Sequence, residues 1–248
     1  MLPQSKGKIF LSEERGLNEL EWFRSYNTFN FGRYYNEFKT PFGALYVLNE
    51  DTLAGDRSFT MNVEEDSCII LIPVVGAIAC KDSTGNAGLV EAGQAQLLNI
   101  PAGGSFEVKN PYGSDLVKFL QLWIKTPGTT VSPAAQSFSF DLTGRKNRLI
   151  EIFSPAPGAL LNSSQSSSQH SAALPVGLMG KFAGREEATY QILNGNGLFA
   201  FVIEGVFEVQ YRLLHAGDGL GLWGLQEVEL EALSNDAIIL LVEVPVTD

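Results

Sequence analysis

Short apolar stretches that end at turn-forming residues are the feature that most restricts how this chain can fold. Even the longest of them, Ile69–Ile78, contains Pro73 and Gly76. Segments of strand length bounded by glycine, proline, asparagine or aspartate are typical of antiparallel sheets rather than of helices. The same run is too short and too interrupted to span a bilayer. The sequence therefore predicts an all-β protein that is not inserted in a membrane.

The first half of the chain carries a series of such strands. We expect them at Phe42–Leu48, Ser67–Val75, Ala77–Lys81, Ala95–Ile100, Ser105–Lys109 and Leu116–Lys125. The first strand is expected to end at Asn49-Glu50-Asp51, because such polar residues favour turns. Ahead of this strand, the aromatic residues between Trp22 and Phe31 are suited to closing one end of a β-barrel.

The second half of the chain repeats this plan. Its expected strands are Leu198–Glu204, Val206–Leu214, Gly219–Trp223, Val228–Ala232 and Ala237–Val244. Ile72–Gly76 and Phe201–Gly205 share the same step from a hydrophobic strand to a glycine, which indicates the duplication of one barrel. We predict two antiparallel β-barrels in one chain, over residues 1–140 and 181–248.

A serine-rich connection and crossover, residues 141–180, joins the two halves. Its polar run Asn162–Gln169 favours a flexible, solvated linker. A polar edge strand at Gln169–Leu178 that crosses between the barrels is the alternative, because long loops in compact proteins usually carry some structure.

Acidic residues outnumber basic ones, 28 to 17, and give a net charge of −11. This balance argues against direct binding of nucleic acid, which depends on neutralising phosphates. The densest basic group, Arg145, Lys146 and Arg148, follows a glycine and is expected to be a solvated loop. A polar stretch follows Met1 in place of the apolar segment of a signal peptide. We therefore expect a cytoplasmic location.

The two cysteines, Cys68 and Cys80, both lie in apolar strand sequence. In a cytosolic protein we expect them to be buried free thiols. A cross-strand disulfide is the alternative, since the two residues flank one predicted hairpin, and it requires the right register.

Only two histidines occur, His170 and His215, and they are far apart in the sequence. They cannot supply a three-histidine metal site. His215 precedes the Gly217-Asp218 turn and is expected at the surface. Ser163–Ser168 has no evident partner base, and a Ser-His-Asp triad with His170 would rest on composition alone, so we disfavour it.

Glu64, Glu65 and Asp66 form an acidic trio that could, in principle, make a metal site of its own. Neighbouring residues of a strand point to alternate faces, so at most Glu64 and Asp66 share one side. Such a pair could hold a hard cation only weakly. A solvated strand edge is the expected state.

Longer motifs occur along the chain in a characteristic order. They are Glu14-Arg15-Gly16, Trp22-Phe23, Ser25–Phe31, Phe42–Asp51, Lys81–Asn86, Gly93–Gln96 and Phe119–Ile124, followed by Gly205 and Gly217–Gly219. This set resembles the pirin family, whose members are bicupins and include bacterial proteins with quercetin 2,3-dioxygenase activity. The resemblance covers nearly the whole chain from about Gly7 and implies two cupin-type, jelly-roll-like β-barrels.

The resemblance also implies a metal site in the N-terminal barrel, built by a His-x-His pair and by a histidine and a glutamate on a later strand. Asn62 and Glu64 stand at the first two positions here, and Phe106 and Val108 at the other two. Phenylalanine and valine cannot ligate, and one carboxylate cannot retain a transition metal alone. We therefore expect no bound metal, no cofactor, no catalytic residues and no dioxygenase activity.

Three classes of function remain open. The first, which we favour, is a metal-free bicupin that binds a small molecule inside a barrel, with Asn62, Glu64, Phe106 and Val108 as ligand-pocket candidates. The second is a regulatory or protein-interaction scaffold, which a barrel filled by Phe106, Val108 and Met61 would favour. The third is an enzyme related to quercetin 2,3-dioxygenase, which the replaced ligands disfavour.

Overall fold

The computed structural model describes residues 5–126, 135–154 and 175–246. Their regular structure is β-strand, apart from one short 3-10 turn at Ser12–Glu14. The all-β prediction is therefore confirmed. Within the described residues, no helix is long and apolar enough to cross a bilayer. The cytoplasmic location stays a prediction.

The strands are numbered here in chain order. Those of the first half are β1 (Lys6–Phe10), β2 (Gly16–Leu20), β3 (Phe23–Asn27), β4 (Leu45–Leu53), β5 (Ser58–Asn62), β6 (Ser67–Val75), β7 (Ala77–Asp82), β8 (Ala87–Glu91), β9 (Gln94–Ile100), β10 (Ser105–Lys109), β11 (Val117–Lys125) and β12 (Gln136–Ser139). Those of the second half are β13 (Leu149–Phe153), β14 (Val176–Phe182), β15 (Glu187–Gln191), β16 (Asn196–Glu204), β17 (Val206–Val209), β18 (Arg212–His215), β19 (Gly219–Trp223), β20 (Glu227–Ala232) and β21 (Ala237–Pro245). The chain divides into two compact units, an N-terminal unit of residues 15–140 and a C-terminal unit of residues 1–14 and 141–248.

Two antiparallel sheets form the N-terminal unit. One has seven strands in the order β12-β9-β6-β11-β4-β3-β2, and the other has four in the order β5-β10-β7-β8. Alternate residues of both sheets, among them Leu71, Phe119, Ile78 and Val108, pack into one buried core. The predicted jelly-roll-like cupin architecture is confirmed, with the difference that the sheets pair within themselves and do not close into a continuous barrel.

The C-terminal unit repeats this arrangement with sheets of six and four strands. Their orders are β1-β19-β16-β21-β14-β13 and β15-β20-β17-β18. Its core lies between the two sheets and includes Phe182, Leu198, Phe207 and Ile239. The duplicated plan seen in the sequence is thus present as two similar pairs of sheets.

Strand β1 lies in a different unit from the one its position in the sequence suggests. It pairs antiparallel with β19, so residues assigned in sequence to the first domain complete a sheet of the second unit. The Asp218 carboxylate accepts a hydrogen bond from the Ser12 backbone N–H at 2.7 Å, and Arg212 donates to the Ser5 carbonyl at 2.6 Å. Phe10 packs against Phe199 with ring centroids 5.5 Å apart.

The segment 141–180, expected to be a connection, contributes two strands to the C-terminal unit. β13 and β14 pair with each other and form one edge of the six-stranded sheet. The serine-rich run Ser163–Ser168 and His170 lie outside the described residues. Most of the predicted edge strand Gln169–Leu178 also lies outside the described residues, and its last three residues, 176–178, belong to β14.

Two strand predictions differ from the structure. β4 does not end at Asn49-Glu50-Asp51 but continues to Leu53, because Asn49 and Asp51 turn their side chains into the interior. The predicted strand Val206–Leu214 is divided into β17 and β18. The division falls at Gln210-Tyr211, where both residues adopt positive φ, 46° and 61°, as a tight hairpin turn requires.

Cys68 and Cys80 are buried and free, as predicted. They lie in different sheets, on β6 and β7, and Cys80 stands opposite Val108 and Gly88 rather than Cys68. The alternative of a disulfide between them is not found.

Candidate functional site

Phe106 and Val108 lie on β10 with their side chains in the core of the N-terminal unit. They are 1% and 0% exposed, and they stand opposite Met61 and Phe59 of β5. The Phe106 ring meets Trp123 edge-on at 5.5 Å. At these positions the interior is therefore occupied by packed apolar side chains.

Trp123 is the centre of this aromatic packing. Besides Phe106, it contacts Phe31 and Tyr46, each with ring centroids 5.9 Å away and nearly perpendicular planes. We call Phe31, Tyr46, Phe106 and Trp123 the aromatic plug. Edge-to-face packing of this kind adds to the stability that burial alone supplies.

Asn62 and Glu64 are not brought together with Phe106 and Val108. Both are exposed, whereas Met61 and Val63 face the core. The Val63 backbone bonds to Gly103 and Gly104 on both sides, which keeps this residue inward and turns its two neighbours outward. The expectation that Asn62 and Glu64 line a barrel interior therefore differs from the structure.

Two members of the neighbouring acidic group, Glu65 and Asp66, make local polar contacts. Glu65 pairs with Lys125 at 2.8 Å, and Asp66 accepts a hydrogen bond from the Ala102 N–H at 2.8 Å. His215 is at the surface, as predicted, with its side chain 62% exposed. Across the described part of the chain, no three histidine, cysteine, aspartate or glutamate side chains come close enough to hold a metal ion.

A cleft opens on one side of the N-terminal unit, between β7-β8 and β9-β12. We call it the side cleft; it has a volume of about 380 Å³ and is lined by residues that include Cys80, Gly88, Gln96, Leu98 and Ser137. Cys80 and Leu98 belong to the buried core, so the floor of the cleft is the core itself.

The polar groups of the side cleft are ordered by hydrogen bonds. The Gln96 amide donates to the Gln136 carbonyl at 3.0 Å and accepts from the Ser137 hydroxyl at 2.6 Å. Burial raises the pKa of the Cys80 thiol to about 11, so this group is neutral at physiological pH. The cleft therefore offers hydrogen-bonding and apolar surface, but no reactive thiolate.

A chain of buried polar side chains runs through the interior beside the aromatic plug. Gln121 donates to Asp51 at 2.7 Å and accepts from the Trp123 indole N–H at 2.6 Å. The Ser25 hydroxyl is hydrogen-bonded to Asp51 and accepts from Asn27 at 2.8 Å. Asp51 is fully buried, and burial is the main cause that raises its pKa to about 7.

The sequence analysis predicted neither the buried polar side chains of β4 nor the side cleft, and each omission has a physical reason. Asn49 and Asp51 continue the every-second-residue series of Leu45, Val47 and Leu53, which is the signal of polar groups on the inner face of a strand, but three consecutive polar residues also resemble a turn. The side cleft depends on how β8 and β12 approach each other, and no local pattern encodes that distance.

Two family models match the chain. Residues 11–124 match the pirin model, and residues 177–244 match the model described as the quercetinase C-terminal cupin domain. The order of the two matches agrees with the two units of the structure.

Full-length relatives carry related names. The chain is 26% identical to a quercetin 2,3-dioxygenase of Escherichia coli K12, over 94% of this chain and 96% of that protein. It is 28% identical to a putative quercetin 2,3-dioxygenase of Pseudomonas aeruginosa, over 90% and 93% of the two chains.

Among solved structures, the chain is similar to bacterial pirin YhhW of Escherichia coli in complex with nickel(II). The TM-score is 0.79 at 22% identity, over 98% of this chain and 100% of that one. It is also similar to quercetin 2,3-dioxygenase of Acinetobacter baumannii, with a TM-score of 0.69 at 18% identity over 96% and 86% of the chains. At these identities the likeness establishes the shared fold.

Proposed function

We propose that this chain, which is similar to pirin-like cupin proteins, binds a small, uncharged polar molecule in the side cleft without using a metal ion. The observation that carries this proposal is the contrast between two parts of the N-terminal unit. Phe106 and Val108 fill the interior where the family resemblance calls for metal ligands, while a cleft lined in part by Cys80 and Gln96 opens at the side of the same unit.

The replaced ligands support the loss of metal-dependent chemistry. Phe106 and Val108 carry no lone pairs, and the exposed side chains of Asn62 and Glu64 point away from them. Without at least three converging donors, a transition metal is not retained. We infer that the dioxygenase activity named for the relatives is absent from this chain.

The lining of the side cleft indicates the chemistry of its ligand. None of the described residues that line it is charged, and Gln96 and Ser137 present amide and hydroxyl groups beside Leu98. A volume of about 380 Å³ lies at the small end of ligand-binding pockets. A neutral molecule with several hydrogen-bonding groups and one apolar face fits this surface.

Gly88 allows a direct test of the cleft. Its backbone has ordinary φ, and a Cβ atom placed there would meet only the Gln96 Oε1 atom, at 3.9 Å. Gly88→Val therefore narrows the cleft beside Gln96 without straining the strand. Gly113→Val is the matched control, since a Cβ atom there meets nothing within 4 Å and the residue is not part of the cleft.

The measurement is a thermal-shift screen with quercetin, nucleosides and neutral sugars as probes. We expect at least one probe to raise the Tm of the wild type and of Gly113→Val, and to leave Gly88→Val unchanged. A rise in Tm of equal size in Gly88→Val would show that the probe binds outside the cleft. Consumption of quercetin by the wild type with added nickel or iron would overturn the loss of activity.

A second candidate function is a regulatory or protein-interaction scaffold. The filled aromatic plug supports it, because Phe106, Val108 and Met61 occupy the volume that a ligand inside the sheets would need. In the same screen, the scaffold is favoured if no probe changes the Tm of the wild type.

A further inference from the structure

We propose that Asp51 is a proton-controlled latch on the aromatic plug, and that it acts through Gln121 on Trp123. The inference concerns the buried polar chain and does not rest on the ligand of the side cleft. It assigns a conformational role to the buried Asp51 carboxyl group, which belongs neither to the packed residues around Phe106 nor to the lining of the side cleft.

The hydrogen bonds give the latch its direction. The Gln121 amide meets both neighbours only with its NH₂ group towards Asp51, at 2.7 Å, and its carbonyl towards the Trp123 indole, at 2.6 Å. A change at Asp51 that moves this amide therefore also moves the acceptor of the indole N–H. Trp123 in turn packs edge-on against Phe106, Phe31 and Tyr46.

Unpaired polar atoms lie on the inner face of β4 around Asp51. Among the described residues, the Asp51 Oδ1 atom and both polar atoms of the Asn49 side chain, which is 1% exposed, have no hydrogen-bond partner. Asn49 and Asp51 are two residues apart on β4 and so share its inner face. A protonated Oδ1 can donate as well as accept, whereas the ionised carboxylate can only accept.

The surroundings offer no counter-charge to an ionised Asp51. Among described residues, Ser25 and Phe119 stand opposite it on β3 and β11, and Phe59 of β5 stacks on Phe119 across the core. The polar side chains nearest to it on this face, Gln121, Asn49, Asn27 and Asn18, are uncharged. Glu50 has its side chain on the opposite face of β4, where it pairs with Arg15 and Lys118.

Ionisation therefore leaves an uncompensated charge in a buried and uncharged interior, and water must enter to stabilise it. That water competes with Gln121 for the carboxylate, and a displaced Gln121 amide also removes the acceptor of the Trp123 indole N–H. We expect the plug to be closed when Asp51 is protonated and loosened when it is ionised.

Trp123 can report the change directly. In a Trp22→Phe/Trp223→Phe background it is the sole tryptophan, because the chain has three. Substituting His170→Gln and His215→Gln removes the ordinary groups that titrate near neutral pH. Between pH 5 and 8.5 we expect the emission of Trp123 to shift to longer wavelength, with a midpoint near 7.

Two variants decide the cause of that shift. Asp51→Asn keeps an oxygen for Gln121 and cannot ionise, so its emission should stay constant. Asp56→Asn removes an exposed carboxylate that pairs with Lys109, and it should titrate like the background protein. An equal shift in Asp51→Asn, or a constant emission in the background protein, would overturn the proposal.

The same question can be asked without any substitution at Asp51. The Trp123 indole N–H resonance of the otherwise unmodified chain, assigned by its loss in Trp123→Phe, should move with the same midpoint. If this resonance does not titrate between pH 5 and 8.5, the latch is ruled out even where Asp51→Asn fails to fold.

Discussion

Asp51 should make stability depend on pH in the direction opposite to that of an ion-paired carboxylate. Burial raises its pKa in the folded chain from the ordinary 3.8 to about 7. Between these values the folded state binds the proton more tightly than the unfolded state, so the free energy of unfolding falls as pH rises. The stabilisation is complete below pH about 4 and lost above about 7, and amounts to on the order of 4 kcal/mol. Urea unfolding at pH 5, 6, 7 and 8 measures this slope.

Asp51→Asn supplies the comparison for that slope. The variant lacks the titrating group, so the contribution of Asp51 should vanish while those of the surface carboxylates remain. If wild type and variant lose stability in parallel between pH 5 and 8, the buried carboxyl is not the source.

Phe106 should contribute to stability as a core residue. It is 1% exposed and packs on Trp123, so Phe106→Ala leaves a cavity in the plug. Replacement of a buried phenylalanine by alanine typically costs about 3–5 kcal/mol. Phe38→Ala is the control, because this ring is 68% exposed and its loss should cost little. Chemical unfolding of both variants tests the difference, and similar values would show that the plug is loosely packed.

At the residue scale, the sequence predicted the direction of some side chains and not of others. Phe106 and Val108 were assigned to the interior and are buried there. Asn62 and Glu64 were assigned to it as well, and they are exposed because Met61 and Val63 take the inner face. A shift of one residue in a strand exchanges its two faces, and composition alone does not fix that shift.

At the scale of elements, the four-stranded sheet of the C-terminal unit carries a row of like charges. Glu187 of β15 and Glu208 of β17 both stand directly opposite Glu231 of β20. Like charges in opposed positions destabilise a sheet. Glu231→Gln relieves both contacts and keeps a side-chain oxygen for the exposed Arg185, which pairs with Glu231 at 3.5 Å. It should therefore raise the free energy of unfolding, by about 0.5 kcal/mol.

Glu227 offers the matched control for this substitution. It lies on the same strand and face but stands opposite Gln191, so Glu227→Gln relieves no carboxylate pair. Because exposed charges are screened by salt, the gain in Glu231→Gln should shrink between 50 mM and 1 M NaCl. Thermal unfolding at both salt concentrations measures these changes in stability. Equal changes in the two variants would show that repulsion between the opposed glutamates is not their cause.

Strands that end at a glycine were predictable, because the residue that ends the strand lies in the local sequence. β6 and β19 have the predicted bounds, Ser67–Val75 and Gly219–Trp223. β1 was not predicted, since its partner β19 is about two hundred residues away and the segment Lys6–Phe10 carries only two apolar side chains. Pairing over such a distance is set by the whole fold and leaves little trace in a short segment.

At the scale of the whole molecule, the duplicated pattern was sufficient to predict two similar units of paired sheets. It did not predict that residues 5–14 join the C-terminal unit. A repeated sequence pattern shows that a unit is duplicated, but not which of the two units a flanking segment pairs with. The same limit applies to the metal site. The fold of a nickel-binding structure is shared, but ligation depends on which side chains reach one point in the interior.

The purified chain should accordingly retain well under one equivalent of nickel, iron, copper or zinc after dialysis against a chelator. Two sets of substitutions test the geometric reason. Asn62→His, Glu64→His, Phe106→His and Val108→Glu together follow the family resemblance, but the first two side chains are exposed. Met61→His, Val63→His, Phe106→His and Val108→Glu place all four donors on positions that face the core.

We expect retained metal in the second set and not in the first, because a transition metal needs its donors to converge on one point. Elemental analysis of the dialysed proteins gives the metal content, and circular dichroism shows whether each set keeps its β-structure. Stoichiometric metal in the wild type would overturn the metal-free proposal itself. Metal in the first set alone would show instead that Asn62 and Glu64 can turn inward, and that the register of β5, rather than the identity of its residues, decides whether this interior binds an ion.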